Sequence, residues 1–166
     1  MPRAPHRLFL GKDIHKFNAA HMTVFQDGTK EAIHGHNFQV EVAIDLTDVS
    51  FAKFLDFGVV KDALGAQCAA WNERLILAER CPFYVETSRA AGSLDFTLCG
   101  KRYVIPVDEV VFLPVENIVV ETLAVELGKG LLARLADKLP AGVAVGLEIT
   151  VCESHRQGAT AYLEIT

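Results

Sequence analysis

Alternation of apolar and polar residues predicts four β-strands, one pair near each end of the chain. Between Phe38 and Ile44 every second residue is large and apolar, the pattern of a strand with one buried face. The strand before it breaks near Gly11-Lys12-Asp13, and Asp27-Gly28 marks a turn in the segment that joins the two. Gln157-Gly158 is expected to form the turn of the last pair. The four predicted strands cover residues 7–21, 37–45, 143–151 and 159–165.

Two helices are predicted between these strand pairs. Asp56 can cap a helix over residues 59–75, in which apolar residues recur near helical spacing along one side. A second helix over residues 119–139 carries a leucine at every fourth position, and Pro140 ends it. Its leucine stripe consists of Leu123, Leu127, Leu131, Leu135 and Leu139.

The middle of the chain contains a predicted hairpin, with residues 94–98 and 102–106 on either side of Cys99-Gly100-Lys101. The order strand–strand–helix–hairpin–helix–strand–strand predicts an α+β fold, in which a four-stranded antiparallel sheet carries two helices on one face. Such a sheet has two open edges. Association of several copies edge to edge into a larger barrel is therefore expected.

Composition narrows the class of protein. A chain of 166 residues is long enough for one domain with a proper core, and half of its residues are hydrophobic. No apolar stretch is long enough to span a membrane, and the basic N-terminal residues lack the apolar run of a secretory signal. The net charge of −5 gives no reason to expect nucleic acid as a partner. Four cysteines without a CxxC spacing indicate reduced thiols and a cytoplasmic protein.

His21 and His34-Gly35-His36 are the candidate metal ligands. Histidines two apart on a strand point to the same face, and His21 closes the neighbouring strand. Three imidazole nitrogens with one open position are the ligand set of a catalytic zinc site. Asn37 follows directly, and its amide is expected to hydrogen-bond one of the ligands. Taken one by one, each histidine could instead be an ordinary surface or core residue.

These motifs resemble those of the 6-pyruvoyl-tetrahydropterin synthase family, which includes 6-carboxy-tetrahydropterin synthase. The resemblance rests on Phe17-Asn18-Ala19-Ala20-His21, His34-Gly35-His36-Asn37-Phe38, Leu55-Asp56-Phe57 and Val151-Cys152-Glu153. It implies the tunnelling fold, a two-helix, four-stranded unit that forms trimers and usually hexamers, with active sites between subunits. It also implies a Zn2+ ion on the three histidines and a pterin substrate such as 7,8-dihydroneopterin triphosphate.

The resemblance further implies two substrate-binding glutamates. Glu153 fits the pterin anchor of the family, because a carboxylate can accept two N–H bonds from the guanidine-like edge of the ring. Glu121, which precedes Thr122-Leu123-Ala124, matches a family glutamate near the second helix. In an unrelated chain, Glu153 would be a solvated residue at a strand end and Glu121 a charge at a helix N-terminus.

One departure from the family pattern concerns the catalytic base. Members that make pyruvoyl or carboxy products carry a cysteine a few residues before the His-Gly-His motif, but no cysteine precedes Cys68 here. A branch of the family has a glutamate three residues before the first histidine of the motif, where Glu31 stands. That branch resembles a retro-aldol enzyme that releases 6-hydroxymethyl-7,8-dihydropterin. A partly desolvated glutamate beside a dication can act as a base, so Glu31 is the catalytic candidate; otherwise it is an exposed loop carboxylate.

The second departure lies at the Asp-His pair of the family, where Glu73 and Arg74 stand. Arginine stays protonated and cannot shuttle a proton near neutral pH. His155 is an available imidazole, although a plain loop histidine is the simpler interpretation. The family pattern leaves residues 79–116 unexplained. We therefore expect one domain, residues 1–166, with an insertion over 79–116 that could reshape the rim of the pocket.

Together these expectations describe a zinc-dependent lyase of pterin metabolism. It should act on a small-molecule pterin as a homo-oligomer, a trimer or hexamer, with no nucleic-acid or membrane partner. Two other classes stay open. The first is a binding protein that keeps zinc and a pterin or purine ligand but has lost turnover. The second is a β-sheet assembly module in which the histidines are structural.

Overall fold

The computed structural model describes residues 4–165, in which nine β-strands and two α-helices alternate with short turns. Each of the four strands predicted near the chain ends is present, and so is each predicted helix. The elements are β1 His6–His21, β2 His34–Leu46, α1 Phe57–Trp71, β3 Arg74–Ala78, β4 Tyr84–Ala90, β5 Ser93–Leu98, β6 Lys101–Pro106, β7 Val110–Leu113, α2 Val120–Leu135, β8 Ala144–Ser154 and β9 Gln157–Glu164. Within these residues no helix is both long and apolar enough to cross a bilayer.

The main sheet has six strands in the order β7-β3-β1-β2-β8-β9. Its antiparallel part, β1-β2-β8-β9, confirms the predicted four-stranded sheet. The sheet is wider than predicted, because the short strands β3 and β7 add to it in parallel. Strand β3 meets β1 only at Ala19 and Ala20, so most of that edge of β1 has no strand beside it among the described residues.

The first helix ends earlier than predicted, at Trp71 instead of residue 75. It begins at Phe57, two residues before the predicted start, and the predicted cap is confirmed, because Asp56 Oδ1 accepts a 2.8 Å hydrogen bond from the N–H of Gly58. At the other end Asn72 leaves the helix in an extended conformation, and Glu73 takes a positive φ of 56°. The apolar residues that follow then continue as β3, where burial in the sheet outweighs the helical spacing that included Leu75.

The core lies between one face of the main sheet and the two helices. Every second residue of β2 from Phe38 to Ile44 is buried there, and four leucines of the α2 stripe face them. Burial of each such side chain contributes on the order of 1.5–3 kcal/mol. Helix α2 lies close to the sheet at Gly128, where a Cβ would lie 2.7 Å from Leu163. The fifth leucine of the predicted stripe, Leu139, follows the helix in a turn and is only partly buried.

Residues 84–106 form a second, three-stranded antiparallel sheet, β4-β5-β6. It lies in the segment that the sequence predicts to be an insertion, and we call it the inserted sheet. The predicted hairpin is its β5-β6 half. Strand β4 was not predicted, because its residues are polar and exposed and show no alternation. A tight turn at Ala91-Gly92, with φ values of 51° and 77°, pairs β4 with β5, and Cys99-Gly100 forms the equivalent turn between β5 and β6. Both turns use left-handed backbone at two successive residues.

Two further boundaries differ from the sequence prediction. The break near Gly11 is a bulge within one long strand, since the pairing of β1 with β2 shifts between Gly11 and Lys16 and then resumes. The turn of the last pair lies at His155-Arg156, and Gln157-Gly158 belongs to β9. Gly158 is needed for close approach rather than for turning, because a Cβ there would lie 2.4 Å from the carbonyl oxygen of Val151.

Candidate metal centre

The three predicted metal ligands lie together at one end of the β1-β2 pair. His21 and His34 are direct partners in the antiparallel register, and His36 is two residues further along the same face of β2. Each histidine offers one ring nitrogen, and these nitrogens all lie within 4.8 Å of one another. A Cβ at Gly35 would lie 3.1 Å from the carbonyl oxygen of Ala19, so glycine permits the close strand approach between the two histidines.

Backbone carbonyls orient two of the rings. The Nδ1–H of His34 donates to the carbonyl oxygen of Ala32 at 2.9 Å, and the Nδ1–H of His21 donates to that of Ile118 at 3.3 Å. A carbonyl oxygen can only accept, so each ring keeps its lone pair on Nε2. The expectation that Asn37 plays this part is wrong, because strand alternation places its side chain on the face opposite to the histidines.

The buried face of this cluster fits a cation. Nε2 of His21 is buried and has no hydrogen-bond partner within residues 4–165, although such a group normally finds one. Burial lowers the pKa of His21, while the Ile118 carbonyl opposes that shift and the neighbouring histidines add to it. A neutral imidazole with an unshared Nε2 lone pair is the form that binds a metal. A set of three imidazole nitrogens suits Zn2+ and leaves a fourth coordination position open.

Two carboxylates lie near the histidines, each beside a different ring. Oε2 of Glu31 lies 3.8 Å from Nε2 of His34, and Oε2 of Glu153 lies 3.9 Å from Nε2 of His36. The Glu31 side chain is 44% exposed and that of Glu153 only 15%. The other oxygen of Glu153 accepts a hydrogen bond from the side-chain amide of Gln157. The fold thus joins a loop residue and a residue of β8 to the histidines of β1 and β2.

Two other residues considered from the sequence lie apart from this cluster. Glu121 is exposed in the first turn of α2 and makes no hydrogen bond or ion pair within the described part of the chain. Its role as a substrate ligand stays a prediction. His155 is exposed in the turn between β8 and β9, which agrees with its interpretation as a loop histidine.

Glu73 and Arg74 do not face the histidines but line a cavity of about 410 Å³. Its floor includes Asn18, Ala20 and Gly35, the strand positions that alternate with the histidines. Its far wall is formed by residues 105 and 109, at the end of the inserted sheet and in the turn that follows it. The cavity therefore belongs to the opposite side of the strands that carry the metal ligands.

Sequence reasoning missed the groups that hold the ligands and the carboxylates. The carbonyls of Ala32 and Ile118 carry no side-chain signal at all. Gln157 was assigned to a turn, and only the β8-β9 register brings its amide to Glu153. The ammonium group of Lys30 donates to the carbonyl oxygen of Glu31 at 2.9 Å, a contact that no spacing rule predicts.

Comparison with known proteins identifies the family. The family model of 6-pyruvoyl tetrahydropterin synthase matches residues 11–164, which is nearly the whole chain. The chain belongs to the 6-pyruvoyl tetrahydropterin synthase family. A relative from Methanocaldococcus jannaschii, provisionally named 6-carboxy-5,6,7,8-tetrahydropterin synthase, is 30% identical over 153 residues; the match covers 90% of this chain and 92% of that protein.

Solved structures of family members share the fold. The 6-pyruvoyl tetrahydropterin synthase of Plasmodium vivax superposes with a TM-score of 0.87 at 22% identity and covers 96% of this chain and 98% of its own. The Plasmodium falciparum enzyme superposes with a TM-score of 0.84 at 20% identity, and the match again covers 96% of this chain and 98% of that one. A variant of the Plasmodium vivax protein also superposes with a TM-score of 0.87. In that variant a glutamate described as a catalytic residue is replaced by alanine. These likenesses confirm the α+β tunnelling fold.

Proposed function

We propose that this family member is a zinc-dependent lyase that cleaves the side chain of 7,8-dihydroneopterin triphosphate, or a close relative, and releases 6-hydroxymethyl-7,8-dihydropterin. The observation that carries the proposal is the position of Glu31. Its carboxylate lies beside His34, and no cysteine precedes Cys68 in the chain. Burial raises the pKa of the Cys68 thiol to about 12, so that side chain is not a nucleophile or base near neutral pH.

His21, His34 and His36 would hold the zinc ion through their free ring nitrogens. When bound, the ion supplies Lewis-acid stabilisation of negative charge on a substrate oxygen. The two carbonyl contacts keep the rings of His21 and His34 from rotating. The protein's task at this end of the sheet is therefore to present the nitrogen triad to the substrate side chain.

Glu31 is proposed to be the general base. Its carboxylate takes the proton from the hydroxyl on the second carbon of the substrate side chain, and that oxygen becomes a carbonyl. The bond between the first and second side-chain carbons breaks, and its electron pair moves to the first carbon, in conjugation with the pterin ring. The proton then returns to that carbon. The products are the hydroxymethyl pterin and a two-carbon aldehyde that carries the triphosphate.

Glu153 is proposed to anchor the pterin. Its carboxylate is mostly buried beside His36, where two N–H groups of the ring's guanidine-like edge can bind both of its oxygens. Gln157 donates to one oxygen and so restricts the rotation of the carboxylate. Glu153 lies beside His36 and Glu31 beside His34. In the proposed arrangement a substrate held at its ring by Glu153 extends its side chain past the histidines towards Glu31.

Relatives support this assignment of roles. The Plasmodium vivax neighbour carries a glutamate described as a catalytic residue, which is the residue type we assign to the base here. We also propose that the chain works as a homo-oligomer, a trimer or hexamer. The long edge of β1 before Ala19 and the edge strand β9 offer backbone groups to neighbouring copies. The four free cysteines suit a reducing compartment, and we propose the cytoplasm.

Product analysis tests the reaction. Purified, zinc-loaded protein is incubated with 7,8-dihydroneopterin triphosphate, and the pterins are oxidised and separated by chromatography. We expect 6-hydroxymethylpterin as the product. A pyruvoyl or carboxy product would instead mean that another residue does the work of the family cysteine. Bound substrate without conversion at any metal loading would favour the alternative, a zinc- and pterin- or purine-binding protein that has lost turnover.

A further inference from the structure

The inserted sheet packs against the loop that carries Glu31, which we define as residues 22–33. Its contacts fall on three successive loop residues. The ring of Phe83, just before the sheet, lies against Gly28, where a Cβ would be 3.1 Å from Cε1. Sγ of Cys99 lies 3.9 Å from the carbonyl oxygen of Thr29. The ammonium group of Lys30 lies 5.1 Å from the ring centroid of Tyr103. The next residue along the loop is Glu31.

Lys30 links Tyr103 to Glu31. Its Nζ lies within cation–π distance of the Tyr103 ring and donates to the backbone carbonyl oxygen of Glu31 at 2.9 Å. The same Nζ lies 3.2 Å from Sδ of Met22, so the side chain is held from three directions. The N–H of Glu31 donates to the carbonyl of Thr23 at 3.0 Å. Both backbone polar groups of Glu31 are therefore bonded, one of them through a residue that the inserted sheet holds in place.

We propose that Tyr103 and Lys30 are positioning residues for Glu31, and that the inserted segment, residues 79–116, acts on catalysis through them. This inference rests on the proposed role of Glu31 as the base. The Glu31 side chain is 44% exposed, and its Oε2 lies 3.8 Å from Nε2 of His34. Nothing on its own side chain fixes it within the described residues other than that contact. A base that must meet a substrate proton needs its backbone held, because a displacement of about 1 Å can cost on the order of a hundredfold in rate.

The test is a double-mutant cycle on turnover. Tyr103→Leu and Lys30→Met should each lower kcat by about tenfold, while KM and zinc content stay unchanged. The double variant should be no slower than Lys30→Met alone, because both changes break the same link. Tyr103→Phe keeps an aromatic ring above the amine and should restore most of the rate.

A matched control separates positioning from stability. Tyr103 stacks on Phe96 at 5.3 Å, and Tyr84 packs on the same ring at 5.4 Å. Tyr84→Leu should therefore destabilise the inserted sheet to a similar degree as Tyr103→Leu, yet leave kcat near the wild-type value. The fall in Tm caused by Tyr103→Leu should persist in the Lys30→Met background, where its effect on kcat has gone.

Hydrogen exchange gives a readout that does not depend on activity. The amide of Glu31 reports the order of the loop through its bond to Thr23. Peptides covering residues 22–33 should exchange faster in Tyr103→Leu and Lys30→Met, and at the wild-type rate in Tyr84→Leu. Equal loss of kcat in the two tyrosine variants, or additive effects in the cycle, would overturn the inference. Full activity of Glu31→Gln would instead overturn the proposed base, whatever the cycle shows.

Discussion

The histidine cluster and the two carboxylates beside it are built in different ways. His21, His34 and His36 stand on paired strands, so backbone hydrogen bonds and strand register set their spacing. Glu31 stands on a loop and Glu153 next to a turn, and side chains of near neighbours in sequence contact them. The amine of Lys30 bonds the carbonyl oxygen of Glu31, and the amide of Gln157 bonds the carboxylate of Glu153. The nitrogen triad therefore depends on the main sheet, whereas the proposed base and the proposed anchor depend on their individual neighbours.

This difference separates the candidate metal ligands from the residues proposed to act on the substrate. Strand register is a property of the whole β1-β2 ladder, and a change of one loop residue leaves it intact. A loop carboxylate can be exchanged or moved without disturbing the metal ligands. The proposed role of Glu31 fits that division, since a glutamate would then act as the base beside an unchanged set of histidines.

The largest effect is expected from removal of a strand-held ligand. His34→Ala should abolish zinc binding and lower turnover by about a thousandfold or more, since Lewis-acid stabilisation contributes several kcal/mol. Metal content of the purified protein and the rate of product formation check this. His155→Ala, at an exposed turn histidine, is the control, and it should keep the zinc content and the rate of product formation of the wild type. Retention of a stoichiometric zinc ion by His34→Ala would exclude the triad as the metal site.

Next in size is the loss of the loop base. Glu31→Gln should lower kcat by about a hundred- to ten-thousandfold, because the amide cannot accept a proton, while zinc content and pterin affinity stay at wild-type levels. Steady-state kinetics measure kcat, and a pterin titration measures the affinity. Glu126→Gln, at a carboxylate paired with Lys129 on α2, is the matched control. Unchanged turnover in Glu31→Gln would remove this residue from the mechanism.

A smaller effect is expected at Glu153, the proposed pterin anchor, and it should fall on KM rather than on kcat. Glu153→Gln should raise the KM for the pterin about ten- to a hundredfold, because a charge-assisted bidentate contact is replaced by a neutral one. Gln157→Leu should raise it only a few-fold, since the carboxylate remains but rotates more freely. Glu148→Gln, on the same strand but paired with Arg7, serves as the control. A loss confined to kcat would contradict the anchoring role.

The smallest effect concerns a strand histidine outside the cluster. His15 is buried, and burial together with Lys12 and Lys61 lowers its pKa. The folded protein thus favours the neutral ring, while the unfolded chain binds a proton near pH ~6.5, so stability is lost as pH falls through that value. His15→Leu should make Tm decline less between about pH 7 and about pH 5. The exposed control His155→Leu should leave the decline of Tm with falling pH unchanged. If His15→Leu also leaves that decline unchanged, the prediction is contradicted.

Much of the fold could be predicted because local patterns and burial agree. Alternation from Phe38 onward, the leucine stripe of α2 and the Asp56 cap each correspond to a buried or capped feature of the structure. The errors lie where tertiary contacts outweigh local signals. Leu75 fits a helical spacing but is buried in β3 beside β1, and the polar strand β4 exists only because a tight turn pairs it with β5.

The amino-acid sequence by itself determined the spacing of the histidines, since two residues on one strand and a third on its partner must share a face. It also determined that a glutamate, and no cysteine, stands before the His-Gly-His motif. Only the tertiary structure decided which groups act on these residues. The carbonyl of Ile118 lies far away in sequence from His21, and the ring of Tyr103 lies far away from Lys30. Packing of the sheet, helix α2 and the inserted sheet brings these groups together, and no local pattern encodes such contacts.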